Sequence, residues 1–169
     1  ATRLSEEWTV VFMGWGELQD TIEEGTRHAG NHSNGSAKIA SIPGVEHSEL
    51  PLWTSGATLG AIPYEPLGLN HEYCTPNKLW EYPLAGVPII ATALTELKKY
   101  VDIHGIGITV DRTLDPRAIA DSVNLLTAAE LKSMKRASRR FAATDNWATH
   151  ESKLLDLYSS IERSLRRVS

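Results

Sequence analysis

The chain has 169 residues, of which 41% are hydrophobic and 22% are charged. This composition is typical of one compact globular domain and excludes a chain that is disordered throughout. The formal net charge of −4 argues against a dedicated nucleic-acid-binding protein, which usually carries a strong basic excess. The single cysteine, Cys74, excludes an internal disulfide framework and a four-cysteine zinc site.

The location of the protein is predicted from what its sequence lacks. No apolar run approaches the roughly eighteen residues of a membrane span, and the first residues carry no signal-like segment. We therefore expect a cytoplasmic domain. The start at Ala1 instead of a methionine is a weak hint of a piece cut from a longer protein.

Five short apolar runs predict buried strands. They are continuously apolar and do not alternate, a pattern that favours a parallel sheet covered on both faces. The runs cover residues 8–13, 38–42, 57–62, 87–91 and 106–110.

Helical patterns lie between these strands. Residues 17–28 and 92–103 have helical spacing, and Gly105 stands just after the end of the second segment. Residues 48–55 predict a short helix, whereas the polar residues 30–37 predict a loop.

The last third of the chain is predicted to be helical. Asp115 followed by Pro116 is typical of an N-cap with proline in the first turn, and Thr127 with Glu130 is a capping-box pair. The final helix, 148–167, is predicted from an apolar stripe at helical spacing: Leu154, Tyr158, Ile161 and Leu165. Strands alternating with helices predict an α/β fold with a doubly wound parallel sheet, in a single domain over residues 1–169.

A tight turn, Gly14-Trp15-Gly16, joins the first predicted strand to the first helix. This is the position of a phosphate-binding turn, but a dinucleotide fingerprint requires a third glycine where the sequence has Gln19. The sequence therefore argues against an NAD motif. A structural turn and a ligand-facing turn both remain open.

A second candidate site lies at the predicted helix after the third strand. Thr75 is a good N-cap and Pro76 fits the first helical position, so the free amides of the first turn would attract an anion. Lys78 in that turn opposes the helix dipole, which is easier to understand if a phosphate binds nearby. The alternative is an ordinary solvated lysine.

Glu81 lies one turn after Lys78. Its carboxylate could accept two hydroxyl hydrogen bonds from a ribose, or it could pair with Lys78 at i, i+3 for a few tenths of a kcal/mol. We interpret Leu79 and Trp80 as core residues. Pro83 should kink or end the helix.

Other patterns carry less information. The six histidines show no metal-ligand spacing, so neither a zinc site nor any other metal site is expected. A basic cluster is interpreted as a solvated helix face, with peripheral contact to a membrane surface as the alternative; it comprises Lys132, Lys135, Arg136, Arg139 and Arg140.

The segment PNKLWEYPLAGVPIIA resembles the C-terminal donor-binding domain of the retaining group 1 glycosyltransferases. That family has two Rossmann-like domains facing a cleft, the GT-B fold. The similarity extends over nearly the whole chain, through the segments WTVVFMGWGEL, KIASIPGV, ATLGAIPY, ELKKYVDIHGIGITVD and FAATDNWATHESKLLDLY. It implies a Rossmann-like fold and a missing N-terminal acceptor domain.

By this resemblance, the ligand is a nucleoside diphosphate sugar and the acceptor is a glycan, a lipid-linked molecule or a small molecule. Glu81 matches the second glutamate of the family's pair and would hold the ribose hydroxyls. The first would fall at Tyr73, one residue after Glu72. The remaining implied contacts are Thr75, Asn77 and Lys78 for the diphosphate or sugar, Gly44 and Val45 for the base, and Gly14, Trp15 and Gly16 along the cleft.

The resemblance also implies chemistry without a metal cofactor, in a polysaccharide pathway and on the cytoplasmic side of the membrane. Two alternatives stay open: a non-catalytic nucleotide-binding or scaffold module, and a subunit of a split transferase. A nucleotide-binding oxidoreductase is disfavoured by Gln19.

Overall fold

The structure is a computed structural model that describes residues 3–31 and 37–166. Five β-strands alternate with helices in this part of the chain, and three further helices follow. The strands are β1 (Thr9–Met13), β2 (Lys38–Ile42), β3 (Gly60–Ile62), β4 (Ile89–Thr92) and β5 (Gly107–Val110). The helices are α1 (Gln19–Asn31), α2 (Leu50–Ser55), α3 (Leu69–Tyr73), α4 (Lys78–Leu84), α5 (Thr95–His104), α6 (Pro116–Asn124), α7 (Ala128–Thr144) and α8 (Trp147–Arg166).

All strand pairs in the described residues are parallel, as the apolar runs predicted. β1 pairs with β2, with Thr9 opposite Lys38, and β4 lies between β3 and β5. The α/β class and the parallel strands with flanking helices are therefore confirmed. The single sheet of about five strands is corrected: the described strands form a two-stranded sheet, β1-β2, and a three-stranded sheet, β3-β4-β5.

Several element boundaries differ from the sequence prediction because hydrogen bonding ends where the chain turns. β3 and β4 begin at Gly60 and Ile89, three and two residues later than predicted. Thr92 ends β4 and does not start a helix, and α5 begins at Thr95. Part of the predicted 30–37 loop, residues 32–36, and the predicted helix end at 167 lie outside the described residues.

The helix signals read from the sequence are confirmed. The Asp115 side chain accepts a hydrogen bond from the Arg117 amide, and Thr127 and Glu130 form both bonds of a capping box. Gly105 ends α5 with φ 60°, a left-handed conformation that glycine adopts without the steric cost of a Cβ atom.

The main core lies on one face of the three-stranded sheet. β3 and β4 pack there against α4, α5 and α7, and the most buried side chains include Ile62, Leu79, Ile89, Leu97 and Phe141. A smaller cluster on the other face gathers Ile90, Val110 and Val123, with Leu4, Trp8 and Leu59 packed against it. The core thus fixes α4 against the sheet.

Helix α8 has the apolar stripe that its spacing predicted, but the stripe is exposed. Leu154, Tyr158 and Ile161 are 45%, 61% and 46% exposed. The period of 3.6 residues correctly indicated an amphipathic helix. It could not indicate whether the rest of the described chain covers that face.

Candidate functional site

Helix α4 begins later than predicted. The first helical carbonyl is that of Asn77, which accepts from the amides of Trp80 and Glu81 at 2.9 Å. Thr75 is therefore exposed outside the helix, and its assignment as N-cap was wrong. The physical reason is that the chain is extended at Cys74 and turns at Pro76, whose carbonyl accepts from the Leu79 amide, before the helix starts.

The two faces of α4 have different roles. Leu79 and Pro83 are buried in the core, and the helix ends one residue after Pro83, as expected of a proline in this position. The opposite face, at spacings of three and four residues, lines a cleft with Asn77, Trp80, Glu81 and Leu84. The interpretation of Leu79 as core was right, but Trp80 both packs on the core and lines the cleft.

The cleft has a volume of about 500 Å³ and three walls. The face of α4 forms one wall. The second is α2 with the residues before it, which contribute His47, Leu50, Pro51 and Thr54. The third is the corner between α7 and α8, which contributes Ala142, Asp145, Asn146, Trp147 and His150. Its surface is thus largely apolar, with two indole rings and a few polar groups.

Glu81 is the acidic group on the α4 wall. No ion pair joins it to Lys78, although the structure describes both side chains, so the i, i+3 pair that the sequence left open as an alternative does not form. Burial, together with the nearby Glu81 charge, raises the pKa of the neighbouring Tyr82. The carboxylate of Glu81 is half-buried at the cleft surface, where it can accept hydrogen bonds from hydroxyl groups of a ligand.

Side-chain hydrogen bonds hold the α7–α8 corner in place. Asn146 accepts from the Thr149 amide at 3.0 Å, the arrangement of a helix N-cap, and its amide group donates to the Ala142 carbonyl at 2.9 Å. His150 Nε2 lies 2.6 Å from Asp145 Oδ1. These bonds fix the wall that carries Trp147.

The two predicted turns lie together and line no part of this cleft. The Gly14 amide donates to the Ile42 carbonyl, and the Trp15 ring covers Gly44 so closely that a Cβ atom there would lie within 2.3 Å of it. Gly14, with φ 141°, joins Trp15 and Gly16 in lining a second cavity of about 440 Å³. Val45 follows this pair of turns and lines none of the cavities described here.

The loop between β3 and α4 surrounds a third cavity of about 500 Å³, lined in part by Tyr64, His71 and Cys74. Within this loop, Glu72 accepts hydrogen bonds from Thr95 and Arg112. These bonds hold the pKa of the Glu72 carboxyl below its usual range. The bond from the Thr95 side chain contributes most to this lowering, and the bond from Arg112 contributes next. Tyr73 is 59% exposed.

The predicted residues therefore fall into three groups. Asn77 and Glu81 line the cleft, and Gly14, Trp15 and Gly16 line the turn cavity, with Gly44 beneath Trp15. The third group, Thr75, Lys78, Tyr73 and Val45, lines none of the three cavities.

Sequence reasoning missed His47 and the α7–α8 corner with Trp147 and His150. For the corner, the only signal was an aromatic residue at the start of an amphipathic helix.

Two further observations concern the described residues as a whole. They contain no group of three or more His, Cys, Asp or Glu side chains that could hold a metal ion. Among them there is also no helix with the length and apolar character required to cross a membrane.

The fold and the cleft define a Rossmann-like α/β body. His47 and Asn77, which line one end of the cleft, both lie in connections that follow the carboxyl end of a strand, β2 for His47 and β3 for Asn77. In folds of this kind, ligands bind outside the carboxyl ends of the strands. No protein-family model and no curated protein sequence matches the chain.

One solved structure with a similar fold is that of WaaG, a glycosyltransferase involved in lipopolysaccharide biosynthesis. The TM-score is 0.65 over 92% of this chain, at 17% sequence identity. The chain spans only 40% of the WaaG chain. At this identity, the likeness establishes a shared fold.

Proposed function

We propose that the chain is the donor-binding half of a glycosyltransferase. It binds a nucleoside diphosphate sugar, whose sugar passes to a glycan, a lipid-linked acceptor or a small molecule. The fold shared with WaaG supports this class of protein. The observation that carries the proposal is the α4 wall of the cleft, where Asn77 and Glu81 stand one turn apart beside the Trp80 ring.

The cleft suits a nucleoside in size and chemistry. Its volume of about 500 Å³ lies within the usual range of small-molecule sites, roughly 300–1,000 Å³. A base can stack on an indole ring, while a carboxylate accepts hydrogen bonds from both ribose hydroxyls. In this proposal Trp80 or Trp147 contacts the base, and Glu81 binds the ribose.

The diphosphate is assigned to the exposed start of α4. Lys78 supplies a positive charge there, and no bound divalent ion is needed for charge neutralisation in this proposal. The turn at Gly44–Val45 is assigned to the base, and the turn at Gly14–Gly16 to the sugar or the acceptor. Gly14, Trp15 and Gly16 line the second cavity, with Gly44 beneath the Trp15 ring.

Transfer requires a second domain in this proposal. The chain spans 40% of the WaaG chain, and we propose that an acceptor domain supplies the acceptor site and closes over the donor. The chain alone then binds the nucleotide without turnover. The exposed basic residues of α7 are a solvated face, with an anionic membrane surface as the alternative contact.

The test is calorimetric titration of the chain with UDP, GDP, ADP and dTDP, with and without magnesium. Saturable binding of one nucleotide without magnesium is expected. Glu81→Ala should weaken it by about 1.5–3 kcal/mol, the range for hydrogen bonds to charged groups. Glu96→Ala is the matched control because Glu96 lies on α5, outside the cleft. Equal affinity for wild type and Glu81→Ala would reject the assignment of Glu81.

Lys78 has a separate test. Lys78→Ala should reduce affinity for the nucleoside diphosphate much more than affinity for the nucleoside, because its charge acts on the phosphates. An equal reduction for both ligands would contradict the diphosphate assignment.

A non-catalytic nucleotide-binding module is the second candidate. The observation that favours it is at position 73, where the resemblance implies a glutamate and the chain has the exposed Tyr73. The neighbouring carboxylate, Glu72, is already bonded to Thr95 and Arg112. Sugar transfer or donor hydrolysis by this chain combined with an acceptor domain would exclude this candidate, whereas nucleotide binding without either activity would favour it.

A further inference from the structure

The carboxylate of Glu72 joins three separate parts of the fold. Its Oε1 accepts hydrogen bonds from the Thr95 amide at 3.1 Å, from the Thr95 hydroxyl, and from Arg112 Nη1 at 3.0 Å. Its Oε2 accepts from Arg112 Nη2. The side chain is only 15% exposed. Glu72 lies on α3, Thr95 begins α5, and Arg112 follows β5.

The bond to Thr95 caps a helix that has no cap of its own. The N-cap residue of α5 is Leu94, whose side chain cannot accept a hydrogen bond. A carboxylate at a helix N-terminus satisfies free amides and interacts favourably with the helix dipole. Glu72 of α3 therefore supplies the side-chain cap that the local sequence of α5 lacks. Helix α5 is itself anchored in the core by Leu97 and Val101.

Arg112 binds the same carboxylate from the segment after β5. Its guanidinium binds both oxygens of Glu72 in a fork, a geometry that fixes orientation as well as distance. The backbone next to it is tied by the Asp111 carboxylate, which accepts from the Thr113 amide at 2.9 Å. Arg112 thus projects from a constrained segment at the carboxyl end of β5.

Glu72 belongs to the loop formed by residues 63–77, which joins β3 to α4. Most of its side chains are exposed, and α3, its only helix in the described chain, has five residues and no side-chain cap. Glu72 ties it to the start of α5 and to the segment that follows β5. The loop ends at Asn77, which lines the cleft, and leads directly into Lys78.

We propose that Glu72 is a positioning residue, which acts through Thr95 and Arg112 to hold loop 63–77 so that Asn77 and Lys78 face a bound nucleoside diphosphate. The inference rests on the proposed function. It assigns to Glu72 a role in orienting the ligand-binding segment without touching the ligand.

The experiment compares Glu72→Gln, Arg112→Gln and the double variant by calorimetry with the nucleotide that binds wild type best. Glu72→Gln keeps an oxygen for Thr95 but removes the charge that binds Arg112. Each single variant should weaken nucleotide binding roughly tenfold. The double variant should be no weaker than the worse single variant, because both remove the same interaction. Arg112→Lys, which keeps the charge without the fork, should recover only part of the affinity.

The matched control is Asp102→Asn. Asp102 forms an ion pair of 2.6 Å with Lys98 on the exposed face of α5, so this variant also removes a carboxylate near the same helix. Its nucleotide affinity should equal that of wild type. A loss equal to that of Glu72→Gln would mean that general electrostatics cause the effect, and would overturn the proposal.

Amide hydrogen exchange supplies an independent measurement. Glu72→Gln should speed exchange in residues 63–77 and at Thr95 while leaving α7 unchanged. Unchanged affinity despite faster exchange would overturn the positioning role. If wild type binds no nucleotide, the proposed function fails, and exchange alone decides whether Glu72 anchors the loop: faster exchange supports the anchor, and unchanged exchange overturns it.

Discussion

Strands β1 and β4 are both largely apolar and both pair in parallel, yet they differ in burial. All four residues of β4 are buried, with Ile89 at 0% exposure, whereas no residue of β1 is buried and Val11 is 52% exposed. The difference lies in their neighbours. β4 has a strand on each side and helices packed over it, while β1 pairs with β2 alone among the described strands. An apolar run indicates a strand suited to burial; the elements around it decide whether burial occurs.

The same contrast separates two regions of the molecule. The first is the β1–α1–β2 unit, and the second is the three-stranded unit, β3 to β5 with α4, α5 and α7. Nearly all side chains below 2% exposure lie in the second region. We expect the second region to carry most of the stability and to hold the cleft wall on α4 rigid.

The largest change in stability is expected from truncation of a core leucine in the second region. Leu97→Ala should lower the free energy of unfolding by about 2–5 kcal/mol, because Leu97 is fully buried and its loss leaves a cavity. Leu155→Ala on α8 is the matched variant, with Leu155 at 60% exposure, and should change stability by about 0.5 kcal/mol or less. Denaturant titration measures both. Similar losses would show that α8 is covered in solution.

A second pair of variants compares glycines in the two regions. A Cβ atom on Gly107 of β5 would lie 1.9 Å from the Ile89 carbonyl oxygen, a backbone atom that cannot move freely. Gly107→Ala should therefore destabilise the protein by about 1–3 kcal/mol. Gly25 of α1 has nothing within 4 Å of its Cβ position.

Gly25→Ala should stabilise the protein by about 0.4–1 kcal/mol, because alanine loses less backbone entropy in a helix. Thermal unfolding of both variants checks the pair. A stabilising Gly107→Ala would contradict the strand register between β4 and β5.

The smallest effect concerns pH and involves Glu72 of α3, which bonds to α5 of the second region. Hydrogen bonds from Thr95 and Arg112 lower the pKa of Glu72 in the folded state. Its contribution is then fully present above the ordinary carboxyl pKa of 4.5 and is lost as the pH falls through the lower folded value. The stability difference between wild type and Glu72→Gln should be constant from pH 7 to about 5 and shrink below pH 4.5. A difference that grew on acidification would contradict the sign of the shift.

Much of the fold could be predicted because its signals are local. The apolar runs gave all five strands to within three residues, and the caps at Asp115 and Thr127 have the hydrogen bonds that their sequences predicted. Leu79 was also correctly interpreted as a core residue, and it is fully buried on α4.

The remaining features could not be predicted because they depend on residues far apart in the chain. Glu72 and Arg112 are separated by 40 positions. Trp147 reaches the cleft only because α7 packs along α4 and turns at Asn146. No periodicity or cap in either segment indicates these contacts, because local signals extend over only a few residues.

The sequence by itself determined which segments become strands and helices, which faces of them are apolar, and the parallel α/β class, because these follow from side-chain period and local hydrogen bonding. Only the tertiary structure decided that the described strands form two sheets, that α4 starts at Lys78, that the α8 stripe is exposed, and that Glu72 bonds to Thr95 and Arg112. These features depend on which surfaces meet, and that is set by packing between elements distant in sequence.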